Sequence, residues 1–110
     1  MKKRVRTKTM TWTWSYGRMQ DGQDIIPDKP ALRLGQSGII IVLNERNQFS
    51  VTHDASGKCI GLRTHKLTKA KRFARAVAPL TDWHLPDEKS ILSKTPDIGP
   101  KLRALWDDLG

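Results

Sequence analysis

An α+β fold is what this chain of 110 residues predicts, with a three- to four-stranded antiparallel sheet packed against one amphipathic basic helix and two short helices at the carboxyl end. Three observations carry that reading. Short strand-like runs, Ile39 to Leu43 and Gln48 to His53, are separated by turn residues. One long helical period runs from Leu67 to Ala78, and two proline-led helix starts follow it at Pro86 and Pro100.

The elements follow in chain order. Met10, Trp12, Trp14 and Tyr16 alternate with Thr9, Thr11, Thr13 and Ser15, so a strand there puts the aromatics on one face and the hydroxyls on the other. With few other large apolar residues in the chain, the aromatic row is expected to be core; its alternative is a surface on which unpaired bases stack. Residues 17 to 38 carry four glycines and two prolines and read as a long connection with little regular structure. Ile39 to Leu43 is β-branched and too short for a helix, which makes it a central strand. Asn44 to Asn47 turns the chain into the strand Gln48 to His53. Asp54-Ala55-Ser56-Gly57 turns it again into a short third strand, Lys58 to Arg63.

At 100° per residue, Leu67, Ala70, Phe73, Ala74, Val77 and Ala78 share one arc of the helix, and Lys69, Lys71, Arg72 and Arg75 the opposite one. Thr68 is the expected N-cap, and Pro79 ends the helix. Pro86-Asp87-Glu88 starts a short helix through about Lys94. Near Pro100 a last helix begins, presenting Leu102, Leu105, Trp106 and Leu109 at i, i+3, i+4 and i+7. The expected organisation is a basic flexible arm over 1–8 and a single domain over 9–110.

The charge is segregated. Thirteen of the twenty Lys and Arg residues lie in two acid-free stretches, Met1 to Gln20 and Ala55 to Thr81, and the remainder is mildly acidic, so these stretches supply the net charge of +9. Clustered cations gain free energy by displacing counterions from a polyanion, which points to nucleic acid, DNA ahead of RNA. The longest apolar run, Ile39 to Leu43, is far below the ~20 residues a membrane span needs. Cys59 is the only cysteine, so no intramolecular disulfide forms, and a cytoplasmic protein with no cofactor is expected. A homodimer is compatible with the acidic carboxyl end.

Two motifs refine the partner. The strand, turn, strand, turn, strand and basic helix of Ile39 to Ala78, with Phe49, Ala55-Ser56-Gly57, Ile60-Gly61 and Ala70, Ala74, Ala78, resembles three-stranded sheet-plus-helix DNA-binding modules: the APETALA-type domain and the arm-binding domain of tyrosine integrases. That resemblance implies an exposed sheet face in the major groove, with Gln48, Ser50 and Thr52, or Lys58 and Arg63, as contacts. Ser90 to Leu102 resembles a helix-hairpin-helix motif, which implies phosphate binding at Ile98, Gly99 and Lys101; Asp97 stands where that family prefers glycine.

The expected nucleic-acid contacts are therefore Lys2, Lys3, Arg4, Arg6 and Lys8 in the arm; Lys58, Arg63, Lys66, Lys69, Lys71, Arg72 and Arg75 in the second basic stretch; and Ile98, Gly99 and Lys101 in the hairpin. An interaction module for an acidic protein is the first alternative function. A small basic nuclease using His53 and Asp54 is the other. His53, Cys59 and His65 match no standard zinc spacing, and no metal site is expected.

Overall fold

The structure, a computed structural model, describes residues 11 to 21 and 23 to 109. Four antiparallel strands, β1 (Trp12–Asp21), β2 (Asp24–Leu34), β3 (Ile39–Leu43) and β4 (Phe49–His53), form one sheet in the order β1-β2-β3-β4. Three helices follow, α1 (Leu67–Val77), α2 (Glu88–Lys94) and α3 (Ile98–Asp108), with a 3-10 turn at Ala78–Leu80. The arm expected over 1–8 lies outside the described residues.

The long connection expected over 17–38 is instead the second half of β1 and all of β2. β2 pairs with β3 only through Ala31, Leu32 and Arg33. Among the described residues its first half therefore bonds to β1 alone and has a free edge, where the absent N–H groups of Pro27 and Pro30 cost little. Between Gly17↔Lys29 and Met19↔Ile26 the register shifts, so that Pro27 and Asp28 together face Arg18. Asp28 takes φ 57°, the left-handed conformation common at such bulges.

The bulge bends the far end of the hairpin across one face of the sheet. There the Gln20 amide donates to the Gly57 carbonyl at 2.7 Å, and Arg33 pairs with Asp54. A small core of Met19, Ala31, Ile40 and Val42 closes beneath it. Ser50 and Thr52 are fully buried on the same face and hydrogen-bond to each other at 3.0 Å. This is the face that the DNA-binding modules leave open to the major groove; the hairpin covers it here, so Ser50 and Thr52 are not surface groups.

The opposite face carries the main core, in which Leu34, Ile39 and Val51 meet Phe73, Ala74 and Val77 of α1. Burying each large apolar side chain contributes about 1.5–3 kcal/mol. Phe73 packs edge-on to Trp106 of α3, with ring centroids 5.0 Å apart at 87°. The third strand expected at Lys58 to Arg63 is reduced to isolated bridges, Thr52↔Cys59 and Phe49↔Thr64. Gly61, at φ 78°, breaks it so that Phe73 can approach.

The α1 N-cap is Lys66, in extended conformation and without a side-chain cap, rather than Thr68. The α-helix stops at Val77, and Pro79 sits in the 3-10 turn that follows. Asp87 caps α2 by accepting from the Ser90 amide at 2.8 Å. That hydrogen bond, with the Ser90 hydroxyl as the next cause, holds the Asp87 carboxyl below its usual value. α3 starts at Ile98, two residues before the expected Pro100.

Candidate nucleic-acid interface

Helix α1 lies over β3 and β4, turning Ala70, Phe73, Ala74 and Val77 into the core and its cations outward, as its periodicity dictates. Toward β1 it reaches as far as Trp12. Between them runs a groove of about 400 Å³ lined by Trp12, Leu67, Thr68, Lys71, Arg72 and Arg75. Its floor is apolar and its charged lining is entirely cationic. Lys71 Nζ lies 5.6 Å and the Arg75 guanidinium 5.7 Å from the centre of the Trp12 ring, within cation–π range. The Trp12 indole N–H is buried without a hydrogen-bond partner among the described residues.

The expected aromatic core row divides at Trp12. Trp12 packs partly into the main core, but Trp14 is 77% exposed and Tyr16 68% exposed. Trp12, Trp14 and Tyr16 face Leu34, Leu32 and Pro30 across the ladder, so all three share the helix-side face. α1 covers the β4 side of that face and leaves the outer two rings open. Sequence reasoning favoured core because it counted large apolar residues; the missed signal is that one short helix cannot cover a sheet two strands away, each strand step being about 4.8 Å.

The other expected contacts disperse. Lys69 places its ammonium 4.2 Å from the Trp106 ring centre, away from the groove. Lys66 is exposed at the start of α1. Arg63 lines a polar cavity with Glu45, Arg46 and Gln48. Lys58 pairs with Glu88 at 2.9 Å and Lys101 with Asp97 at 3.3 Å, so both cations are locally compensated. Among the described residues, Lys66, Lys69, Lys71, Arg72 and Arg75 form no ion pair. Lys2, Lys3, Arg4, Arg6 and Lys8 lie outside the described residues.

At the expected phosphate hairpin, the Ile98 side chain is buried and its amide donates to the Thr95 carbonyl at 3.1 Å. Pro100 has no N–H, and the Lys101 amide turns toward the Asp97 carbonyl at 3.4 Å. Gly99 faces open space: beyond its chain neighbours and its own helix backbone, no atom lies within 4 Å of where a Cβ would stand. It belongs to a different cavity, of about 250 Å³, shared with His53, Trp83 and Ile91.

His53 is 3% exposed and fully engaged. The Trp83 carbonyl, 2.9 Å from Nε2, can only accept, so Nε2 donates to it. In that tautomer Nδ1 accepts from the Ser56 hydroxyl at 2.7 Å. Cys59 Sγ donates to the Gly61 carbonyl at 3.4 Å, and His65 Nδ1 to that of Asn47 at 3.2 Å. The described residues contain no group of three His, Cys, Asp or Glu able to hold a metal. None of their helices is long and apolar enough to cross a membrane.

The groove between β1 and α1 is thus where the structure gathers cations from the second basic stretch around an aromatic, beside two exposed rings. Neither the family models, nor the curated proteins, nor the solved structures contain a match to this chain.

Proposed function

We propose that this chain is a non-enzymatic nucleic-acid-binding protein whose phosphate contacts centre on Lys71, Arg72 and Arg75. One observation carries the reading: the solvent face of α1 presents cations that no acid compensates among the described residues, along a groove with an aromatic floor. Elsewhere Lys58, Lys101 and Arg33 each sit beside a carboxylate, and other unpaired cations among the described residues, such as Arg18, Arg46 and Arg103, lie on separate parts of the fold rather than together along one helix. Cations held next to acids solubilise a surface; cations held apart from them attract a polyanion. Five more cations within the first eight residues add to the same field.

The test is the salt dependence of binding. Replacing Lys71, Arg72 and Arg75 together by Gln is expected to make the slope of log affinity against log salt shallower by about 2 to 3 units, one per lost phosphate contact. At about 0.15 M salt, three contacts at ~0.7 units each correspond to a roughly 50-fold loss of affinity. Circular dichroism checks that the fold is kept. An unchanged slope and affinity in the folded variant would refute the reading, as would binding that survives only through a copurifying acidic protein.

A further inference from the structure

We infer that the ligand of this surface is a single strand, its unpaired bases stacking on Trp14 and Tyr16 while its phosphates follow the α1 cations; this rests on the nucleic-acid reading above. Both rings are open to solvent, and their side chains make no hydrogen bond, ring contact or cation–π contact among the described residues. Alternate residues of a strand are about 6.7 Å apart. That is close to twice the ~3.4 Å rise between stacked bases. Side chains stand roughly perpendicular to a sheet, so the spacing along Trp12, Trp14 and Tyr16 admits one flat base between successive rings.

Charge gives the strand an anchor. At one end of the row are Lys71 and Arg75, within 6 Å of the Trp12 ring centre. The cleft that Arg18 lines with Arg33 and Asp54 lies toward the other face of the sheet, where the Arg33 guanidinium donates to the Tyr16 carbonyl at 3.2 Å, so the phosphates are drawn to the α1 end of the row. A duplex keeps its base faces stacked internally and offers nothing to rings on a sheet, whereas every unpaired base has a face to give.

The experiment compares a labelled oligothymidylate of about 12 nucleotides, within the usual site size, with a duplex of equal length. The proteins are the parent, the Trp14→Ala/Tyr16→Ala variant and Trp14→Phe. Loss of two stacking rings is expected to weaken single-strand affinity at least about 30-fold and duplex affinity by less than about threefold. In the parent, tryptophan fluorescence is expected to be quenched by the oligonucleotide; Trp14→Phe is expected to keep binding and lose part of the quenching, the remainder coming from the half-buried Trp12, because Trp83 and Trp106 are buried.

Equal parental affinity for both probes, unchanged by the double alanine variant yet lost in the Lys71, Arg72 and Arg75 variant, overturns stacking and leaves nucleic-acid binding standing. Failure to bind either probe at low salt overturns both. A dimer, seen by sedimentation and abolished by the double variant, would mean that a second copy covers the rings, and it too overturns the inference.

Discussion

Gly17→Ala should be among the most informative single substitutions outside the interface, because Gly17 sits where β1 passes over the second core. A Cβ there would stand 2.3 Å from Ile40 Cδ1 and 3.8 Å from the Ala31 Cβ. Ile40 is fully buried between Met19, Ala31 and Val42, so its end methyl has nowhere to retreat. A methyl forced into such packing costs about 1–3 kcal/mol. Ile40→Val removes that very methyl, at a cost of its own of about 0.5–1.5 kcal/mol. The double variant is therefore expected to be little less stable than Ile40→Val alone, a favourable coupling of about 1–2 kcal/mol. Urea denaturation of the four proteins, with midpoints compared at constant slope, measures it. Additivity to within about 0.5 kcal/mol would refute the close crossing of β1 over Ile40, and with it the closure of the hairpin over Ser50 and Thr52.

Two further outcomes follow from the carboxyl half. The Asp87 carboxyl titrates below its usual value because the Ser90 amide and hydroxyl hydrogen-bond to it. Its charge thus stabilises the fold at neutral pH, and that contribution is lost as pH falls through the lowered folded value. The difference in melting temperature between the parent and Asp87→Asn should accordingly vanish in acid, and a difference constant with pH would contradict the cap. Gly99→Ala is expected to range from neutral to about 1 kcal/mol stabilising by thermal melting, since a helical position with open space gains propensity and meets nothing; a clear loss of stability would show that the glycine serves a tight turn.

The parts of the fold legible in the sequence were those whose pattern is local. The run Ile39 to Leu43, the turn at Asn44 and the arc of α1 each declare themselves within a dozen residues. β2 was hidden because its two prolines, Pro27 and Pro30, lie between Gly22 and Gly35 and mark a loop in most contexts. They are tolerated here by a free edge and a bulge that exist only once β1 is paired. The short strand at Lys58 failed for the converse reason: its pattern suits a strand, but Gly61 yields to the ring of Phe73, a contact from twelve residues away.

The candidate site was half legible. Periodicity alone assigned Lys71, Arg72 and Arg75 to the outer face of α1. Alternation likewise put Trp12, Trp14 and Tyr16 on one face of β1, yet the side on which α1 settles, over β4 rather than β1, decides which rings are covered. The pairing of Lys58 with Glu88 spans thirty residues and leaves no trace in local spacing.

Strand β3 divides the two cores, sending Ile39 and Ile41 to one and Ile40 and Val42 to the other. Sliding such a strand by one residue would exchange isoleucine for isoleucine or valine, so hydrophobicity cannot tell the right alignment from the wrong one. Alignment must then be enforced at the end of the strand. Asn44 does this with one oxygen: its side-chain carbonyl accepts from the amides of Arg46 at 2.9 Å and Gln48 at 3.0 Å, while Asn47 turns left-handed at φ 60°. Fidelity of assembly is thus delegated from the interior to a solvent-facing corner, where a polar side chain counts residues that the core is unable to count.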